Sequence, residues 1–383
     1  MALLFTPSTS RRRLAPAAFG VATLALALGL SACSKENDDA EKVATKSESA
    51  AVTPQAALDG AAWLEGQLVD GVLVNDQYKT DDYSTTVELG YALRAIDPDS
   101  DALEPITAAL VKGVDEYASP GKDVYAGATA KLASYASDAQ KDPRSFGGED
   151  LIAQLEERTA DEGPSAGRIS DVSEYGDYAN GFGQAWAVRA LTLAGSDEAG
   201  AARDYLLGQQ CDAGYIRLYF PKPKDEQPCT GEAPQEPVDT TALAYVLLHD
   251  LAGNDENISN ALDKGMAYIL DQQADDGSFS GGSETPVPNA NSTGLAGWAL
   301  QLAGEDEAAA KAATWVRAHQ IEDCEAPLAK SAGAIGFDDQ AVKSSAQRGI
   351  TKKTAYQWRL ASVQALPALL ATPEGAPAAS CPE

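Results

Sequence analysis

The chain has 383 residues, with 29 basic and 57 acidic side chains and a formal net charge of −28. A surface this acidic repels nucleic acid, so no nucleic-acid partner is expected. His249 and His319 are the only histidines and no Cys-x-x-Cys occurs, so neither a zinc centre nor another metal or cofactor is expected.

The N-terminus opens with a basic segment, Arg11-Arg12-Arg13, followed by an apolar run from Phe19 to Leu30. That run has the length of a signal-peptide core and is too short to cross a bilayer as a helix. Leu30-Ser31-Ala32-Cys33 follows and resembles a bacterial lipobox, which is cleaved before a lipid-modified cysteine. Residues 1–32 are therefore predicted to be a lipoprotein signal peptide, with Cys33 as the lipidation site and anchor to the cell membrane. An ordinary secretory signal with an incidental cysteine is the competing reading. Ser10 to Leu14 also resembles a twin-arginine signal, so Sec and twin-arginine export both stay open. Losing three arginines and no acid with the signal takes the charge from −28 to −31. Residues 33–54 are polar, lack apolar periodicity, and read as a disordered tether between lipid and domain.

Four further cysteines, Cys211, Cys229, Cys324 and Cys381, are an even number in a chain addressed outside the cytoplasm, where disulfides form. Of three possible connectivities, Cys211–Cys229 with Cys324–Cys381 is favoured: the first staples one loop, the second ties the C-terminal tail to the last helical pair.

From residue 55 to 370 a repeat governs the chain. Tyr205 to Gly214 is followed by a loop and then Val238 to Tyr245; Tyr268 to Phe279 is followed by a loop and then Asn291 to Trp298; Trp63 to Gly71 precedes Ser84 to Tyr91. In each, a helix ends in Gln, a Gly turn and polar loop follow, a capped helix begins, and Ala-Gly or Asp-Pro closes it. Leu and Ala recur at i, i+3 and i+4, giving each helix an apolar face that a single pair cannot bury, so pairs must stack on pairs. Weaker copies over residues 104–137, 149–195 and 309–370 bring the total to six pairs. Six pairs that curve on themselves close into an all-α (α/α)6 toroid; an open superhelix is the alternative. Residues 371–383 are a Pro/Ala-rich tail.

Gln273-x3-Gly277-x-Phe279 resembles the Gln-x3-Gly-x-Trp repeat of squalene–hopene cyclases, with Gln67…Gly71 and Gln210…Gly214 as looser copies. The resemblance spans about residues 55–370 and extends to terpenoid cyclases and protein prenyltransferase β-subunits; cobalamin carriers and complement thioester domains share the toroid. It implies the fold more strongly than any one activity.

The family chemistry is only partly present. Class II terpenoid cyclases protonate an alkene with Asp-x-Asp-Asp-Thr-Ala, and the matching stretch is Pro237-Val238-Asp239-Thr240-Thr241-Ala242. Asp239 holds the proton donor's place, but Pro237 and Thr240 replace its two acidic partners. A lone carboxylate at a helix N-terminus is stabilised as the anion, so Asp239 reads as a helix N-cap and a poor acid. Glu322-Asp323-Cys324 is faintly similar to part of the prenyltransferase zinc site, but no histidine follows, and the thioester motif is absent. Asp275 to Ser278 reads as a turn rather than a calcium loop. The acid pairs Asp81-Asp82 and Asp338-Asp339, of the kind glycoside hydrolases use, read as solvated loop residues.

What remains is a cavity. The repeats place Ser84, Gly127, Asn180, Asp239, Asn291 and Lys353 at the starts of six inner helices, with Tyr91, Trp186, Tyr245, Trp298 and Trp358 behind them. Ser84, Asn180, Asp239, Asn291, Trp186, Tyr245, Trp298 and Trp358 are thus the candidate ligand-cavity residues, and Asp239 the sole catalytic candidate. Caps at a rim and aromatics as packing would give the same pattern. The expected function is a surface-anchored lipoprotein whose non-catalytic toroid binds a small molecule or protein partner; the alternative is a cyclase- or prenyltransferase-like enzyme with a degenerate acid motif.

Overall fold

The computed structural model describes residues 53–221, 228–230, 238–282 and 285–381. The signal peptide, Cys33 and nearly all of the tether, like Pro237, lie outside the described residues.

Six helical pairs follow one another: α1 (Gln55–Glu65) with α2 (Tyr83–Ile96), α3 (Leu103–Lys112) and the short α4 (Val114–Ala118) with α5 (Ala126–Asp138), and α6 (Leu151–Arg158) with α7 (Gly181–Leu193). Then come α8 (Ala199–Gly208) with α9 (Asp239–Leu248), α10 (Glu256–Gln272) with α11 (Ala290–Ala303), and α12 (Asp306–Arg317) with α14 (Ala355–Ala365). One further helix, α13 (Asp339–Arg348), interrupts the last pair. Helices α2, α5, α7, α9, α11 and α14 each contact the next, and α14 contacts α2, so the inner layer is a closed ring. The fold is an (α/α)6 toroid. Two short antiparallel hairpins, Val74–Asn75 with Thr80–Asp81 and Ser280–Gly281 with Thr285–Pro288, are the only sheets among the described residues.

Burial separates the two layers. Outer α10 buries one stripe, Ile258, Leu262, Gly265, Met266 and Ile269, the spacing of a one-faced helix. Inner α11 buries Ala290, Ser292, Thr293, Gly294, Ala296, Gly297, Ala299 and Leu300, most of its circumference. Small residues make that possible: the Cα atoms of Gly127 and Gly183 face each other so closely that a Cβ on Gly183 would lie 3.0 Å from Gly127.

The repeat grammar has a physical explanation in the turns. Gln273 donates to Gly277 O (3.2 Å) in its own turn and to Ala308 O (2.9 Å) on the next outer helix. Gln210 does the same with Gly214 O (2.9 Å) and Ala261 O (2.8 Å). Gln320 donates to Gly333 O (3.1 Å) and, across the seam, to Ala56 O of α1 (2.9 Å), so one side chain joins the last pair to the first. The turn glycine is demanded twice over. Gly333 has φ +92°, and a Cβ there would come within 2.1 Å of the Asp59 carbonyl oxygen. Gln67 departs from the pattern and donates only to Trp63 O of its own helix (3.3 Å).

Cys211–Cys229 and Cys324–Cys381 are both bonded, with Cα separations of 4.6 and 5.5 Å. The second holds the tail, whose Ala379 N–H also donates to Gln320 O (3.0 Å). Two such bonds are the mark of an oxidising, extracytoplasmic compartment. No helix among the described residues is long and apolar enough to cross a membrane.

Candidate functional site

A cavity of about 400 Å³ opens at the end of the ring where the inner helices begin. That volume suits a small organic molecule. Helical periodicity decides which residues line it. On α2 they are Ser84, Glu88, Tyr91 and Ala92; on α5 Gly127, Ala128 and Lys131; on α7 Phe182, Gly183 and Trp186 below the cap Asn180. On α9 they are Asp239, Leu243, Val246 and Leu247; on α11 Asn291, Leu295 and Trp298; on α14 Val363 and Gln364. The sets on α2, α9 and α11 contain i, i+4 and i+7, one face of a helix, and those on α5 and α7 keep the i, i+4 pair.

Six of the eight candidate residues lie here: Ser84, Asn180, Asp239, Asn291, Trp186 and Trp298. Two do not. Tyr245 is six residues past Asp239, which turns it about 120° away around α9, and it stacks on His249 with ring centroids 6.4 Å apart. Trp358 is buried beside Gly336, outside the cavity. The inserted α13 delays the last inner helix, so Lys353 precedes it and α14 presents residues ten positions further on.

Of the six starts read from the sequence, Asp239 is exact and the other five are a residue or two off. Asp82, Asn180 and Asn289 are the side-chain caps of α2, α7 and α11, accepting from Thr85 N (3.1 Å), Gly183 N (3.2 Å) and Ser292 N (2.9 Å). Asp338 caps α13, accepting from Ala341 N (2.7 Å), so one member of each suspected acid pair, Asp82 and Asp338, serves a helix end. Asp171, from the loop before α7, caps α5 by accepting from Ala126 N (2.8 Å) and also accepts from Tyr178 N (3.0 Å). Burial pushes the Asp171 carboxyl up; those two amides oppose the rise.

Asp239 behaves differently from the expectation. It is the first residue of α9, not its cap, and makes no capping bond. Its Oδ1 is buried without a hydrogen-bond partner. Burial pushes its pKa from 3.8 up to about 6, with a hydrogen bond from Ser292 opposing. The helix dipole was expected to hold it ionised; removal from water outweighs that effect here. Thr241, which matches the family motif, serves the fold: its Oγ1 accepts from Ile216 N (2.9 Å), as Thr293 Oγ1 accepts from Phe279 N (2.9 Å) one repeat later.

A chain of polar side chains crosses the cavity wall. Lys131 Nζ donates to Glu88 Oε1 (2.5 Å) and Ser84 Oγ (3.0 Å) and lies 5.8 Å from the Trp186 ring centroid. Burial works against the Lys131 charge, but Glu88, with help from Tyr117 and Asp82, outweighs it and the pKa moves up. Gln364 Nε2 donates to Glu88 Oε2 (3.0 Å), and Asn291 Nδ2 donates to Gln364 Oε1. Beneath them Tyr91 packs on Trp186 at 5.0 Å and donates to Asp138 Oδ2 (2.5 Å). Asp138 and Asp250 hold Arg189, each with a 2.7 Å contact, which locks α5, α7 and α9 together below the site.

Glu88, Lys131 and Gln364 escaped the sequence reading. Glu88 and Lys131 each stand four residues after a predicted helix start, Ser84 and Gly127, so the i+4 rule would have found them. Gln364 carried no such signal, because α13 hides the register of α14.

Among the solved structures that resemble this one are three of note. A protein from Actinoplanes is 16% identical, with 83% of this chain and 98% of that chain covered and a TM-score of 0.58. The type II terpene cyclase MstE from Scytonema, without ligand, is 16% identical, with 82% and 96% covered and a TM-score of 0.57. An inactive variant of an α-1,6-mannanase from a Salegentibacter species, bound to α-1,6-mannotriose, is 13% identical, with 82% and 98% covered and a TM-score of 0.55. Neither a protein-family description nor a curated protein matches the chain by sequence. The class is therefore defined by fold: an α/α toroid with a cavity at the ring's N-terminal end. Within that class, a terpene cyclase and a mannanase share the architecture, so the fold does not choose the chemistry.

Proposed function

We propose that the toroid is a receptor: its cavity binds a small, largely apolar molecule without transforming it, and a lipid on Cys33 holds it at the outer face of the cell membrane. The observation that carries this reading is Asp239, a buried carboxyl in an aromatic-walled cavity with Oδ1 unpartnered and its pKa raised to about 6. An acid that protonates an alkene must be unusually strong. Each pKa unit of weakening adds about 1.4 kcal/mol to the proton transfer, and no second carboxyl supports Asp239 among the residues bonded to it. An acceptor poised in an apolar pocket is instead what fixes the orientation of a bound molecule.

The test is capture and turnover. Native mass spectrometry of protein released gently from its own membrane should show a bound small molecule that leaves unchanged in mass. Incubation with squalene or shorter polyprenyl substrates should return them intact. A cyclised product that disappears in Asp239→Asn would establish the second reading, a terpenoid-cyclase-like enzyme. That reading is favoured by one observation, the register of Asp239 with the cyclase proton donor.

A further inference from the structure

Within the receptor reading, on which this inference rests, the cavity wall specifies the polar end of the ligand. We propose that the ligand is an amine: an ammonium group that donates to Asp239 Oδ1 and Asn291 Oδ1, carried on an apolar body held between the aromatic walls.

Hydrogen-bond accounting leads there. Both of these oxygens are buried without a partner, and both residues line the cavity. An orphaned buried acceptor is destabilising, and a donor brought by a ligand relieves it. Asn291 cannot turn its other face inward at no cost, because its Nδ2 is already given to Gln364 Oε1. Gln364 in turn gives its Nε2 to Glu88, and Glu88 neutralises Lys131, so the orientation of Asn291 is fixed by a chain of four side chains. What the cavity offers at this point is acceptors.

Charge points the same way. Among the described residues, Glu88, Asp171 and Asp239 line the cavity against a single cation, Lys131, and that cation is paired. Helix N-termini ordinarily favour anions. Here a side-chain oxygen already occupies one first-turn amide in each of α2, α5, α7 and α11. A phosphate, diphosphate or carboxylate would therefore meet three acids, and helix ends already partly capped by side chains. An ammonium would meet two unpartnered acceptors, one of them a carboxyl, which a side-chain rotation would bring to it, in surroundings where charge-assisted hydrogen bonds are strong. Trp186 and Trp298 supply aromatic surface for the body of the molecule.

Titration calorimetry on the full-length chain at pH 8 tests this with three probes of one shape: 2-phenylethylamine, 2-phenylethanol and phenylacetate. The amine should bind about tenfold more tightly than the alcohol, equivalent to about 1.4 kcal/mol, and phenylacetate more weakly than either. In Asp239→Asn the ratio of amine to alcohol affinity should fall to near one, with thermal melting confirming that the variant is folded. Equal binding of amine and alcohol, or preference for phenylacetate, overturns the amine inference and leaves the receptor reading standing. Millimolar binding of none of the three overturns both.

Discussion

Asp239→Asn should make the protein more stable, and by an amount that depends on pH. The carboxyl titrates near 3.8 in an unfolded chain and at about 6 in the fold. A raised carboxyl pKa means that the folded state holds the proton more tightly. The sign follows by linkage: below pH 4 both states are protonated and no penalty exists; from 4 to 6 stability falls as pH rises; above 6 the full loss persists. At about 1.4 kcal/mol per pH unit, the full penalty is about 3 kcal/mol. At pH 5 the same two pKa values leave about 1.6 kcal/mol. Asn is uncharged, nearly the same shape, and keeps the Ser292 contact within reach, so it escapes the penalty. Urea denaturation at pH 5 and pH 8 reads this out, pH 5 being a practical floor for a protein with an isoelectric point near 4.3. The variant's gain should roughly double between the two, reaching about 1 M in midpoint for an m-value of about 3 kcal/mol/M at pH 8. A gain of equal size at both pH values, or a loss at pH 8, would refute the burial argument.

Gln320→Leu should cost about 2–4 kcal/mol, because the carbonyls of Ala56 and Gly333 lose their donor; Gln67→Leu, at the copy that staples nothing, should stay within about 0.5 kcal/mol in the same denaturant titration. Gly333→Ala should cost about 2–5 kcal/mol, combining left-handed strain with a clash against the Asp59 carbonyl, and poor expression or a lowered melting temperature would report it. Reducing the disulfides should lower stability by about 3 kcal/mol for the Cys211–Cys229 loop and about 4 kcal/mol for the Cys324–Cys381 loop, from sequence separations of 18 and 57; comparing single Cys→Ser pairs by calorimetry separates them. Intact-mass analysis of detergent-extracted protein should find diacylglyceryl mass on a chain beginning at residue 33, and soluble protein cleaved elsewhere would exclude the anchor.

The toroid was legible because its repeat is enforced by hydrogen bonds that only certain residues can make. Gln273 must be Gln to reach two carbonyls at once, and Gly277 must be Gly because a Cβ would strike Lys311. Such constraints write themselves into sequence at fixed spacing. Gln184 shows their limit. It performs the same stapling from an inner helix, donating to Gly167 O (2.8 Å) and Ala202 O (3.0 Å), and no spacing rule announces it. The cavity was legible where helix starts were: an error of one residue at Ser84 or Asn291 still leaves i, i+4 and i+7 near the same face. At α14 the inserted α13 shifted the start, and Trp358 was placed on the wrong side. The titration of Asp239 was not legible at all. Its position predicts a stabilised anion, and burial in the assembled ring reverses that, against the opposing hydrogen bond from Ser292 of α11.

That reversal is also why receptor and catalyst part company at this residue. Burial raises the energy of the Asp239 anion, and the effect cuts in two directions. It makes the protonated form a weaker acid, which slows any step that gives the proton to carbon. It also strengthens every attraction the anion has to a cation, because the same low dielectric acts on both. The cyclase motif resolves the conflict with neighbouring acids that keep the donor protonated yet reactive. Pro237 and Thr240 stand where those acids would be, and Thr240 Oγ1 is buried with no partner. A carboxyl left in that position weakens the empty protein and gains nothing as a proton donor. In the receptor reading proposed above, it recovers that cost when something positively charged arrives.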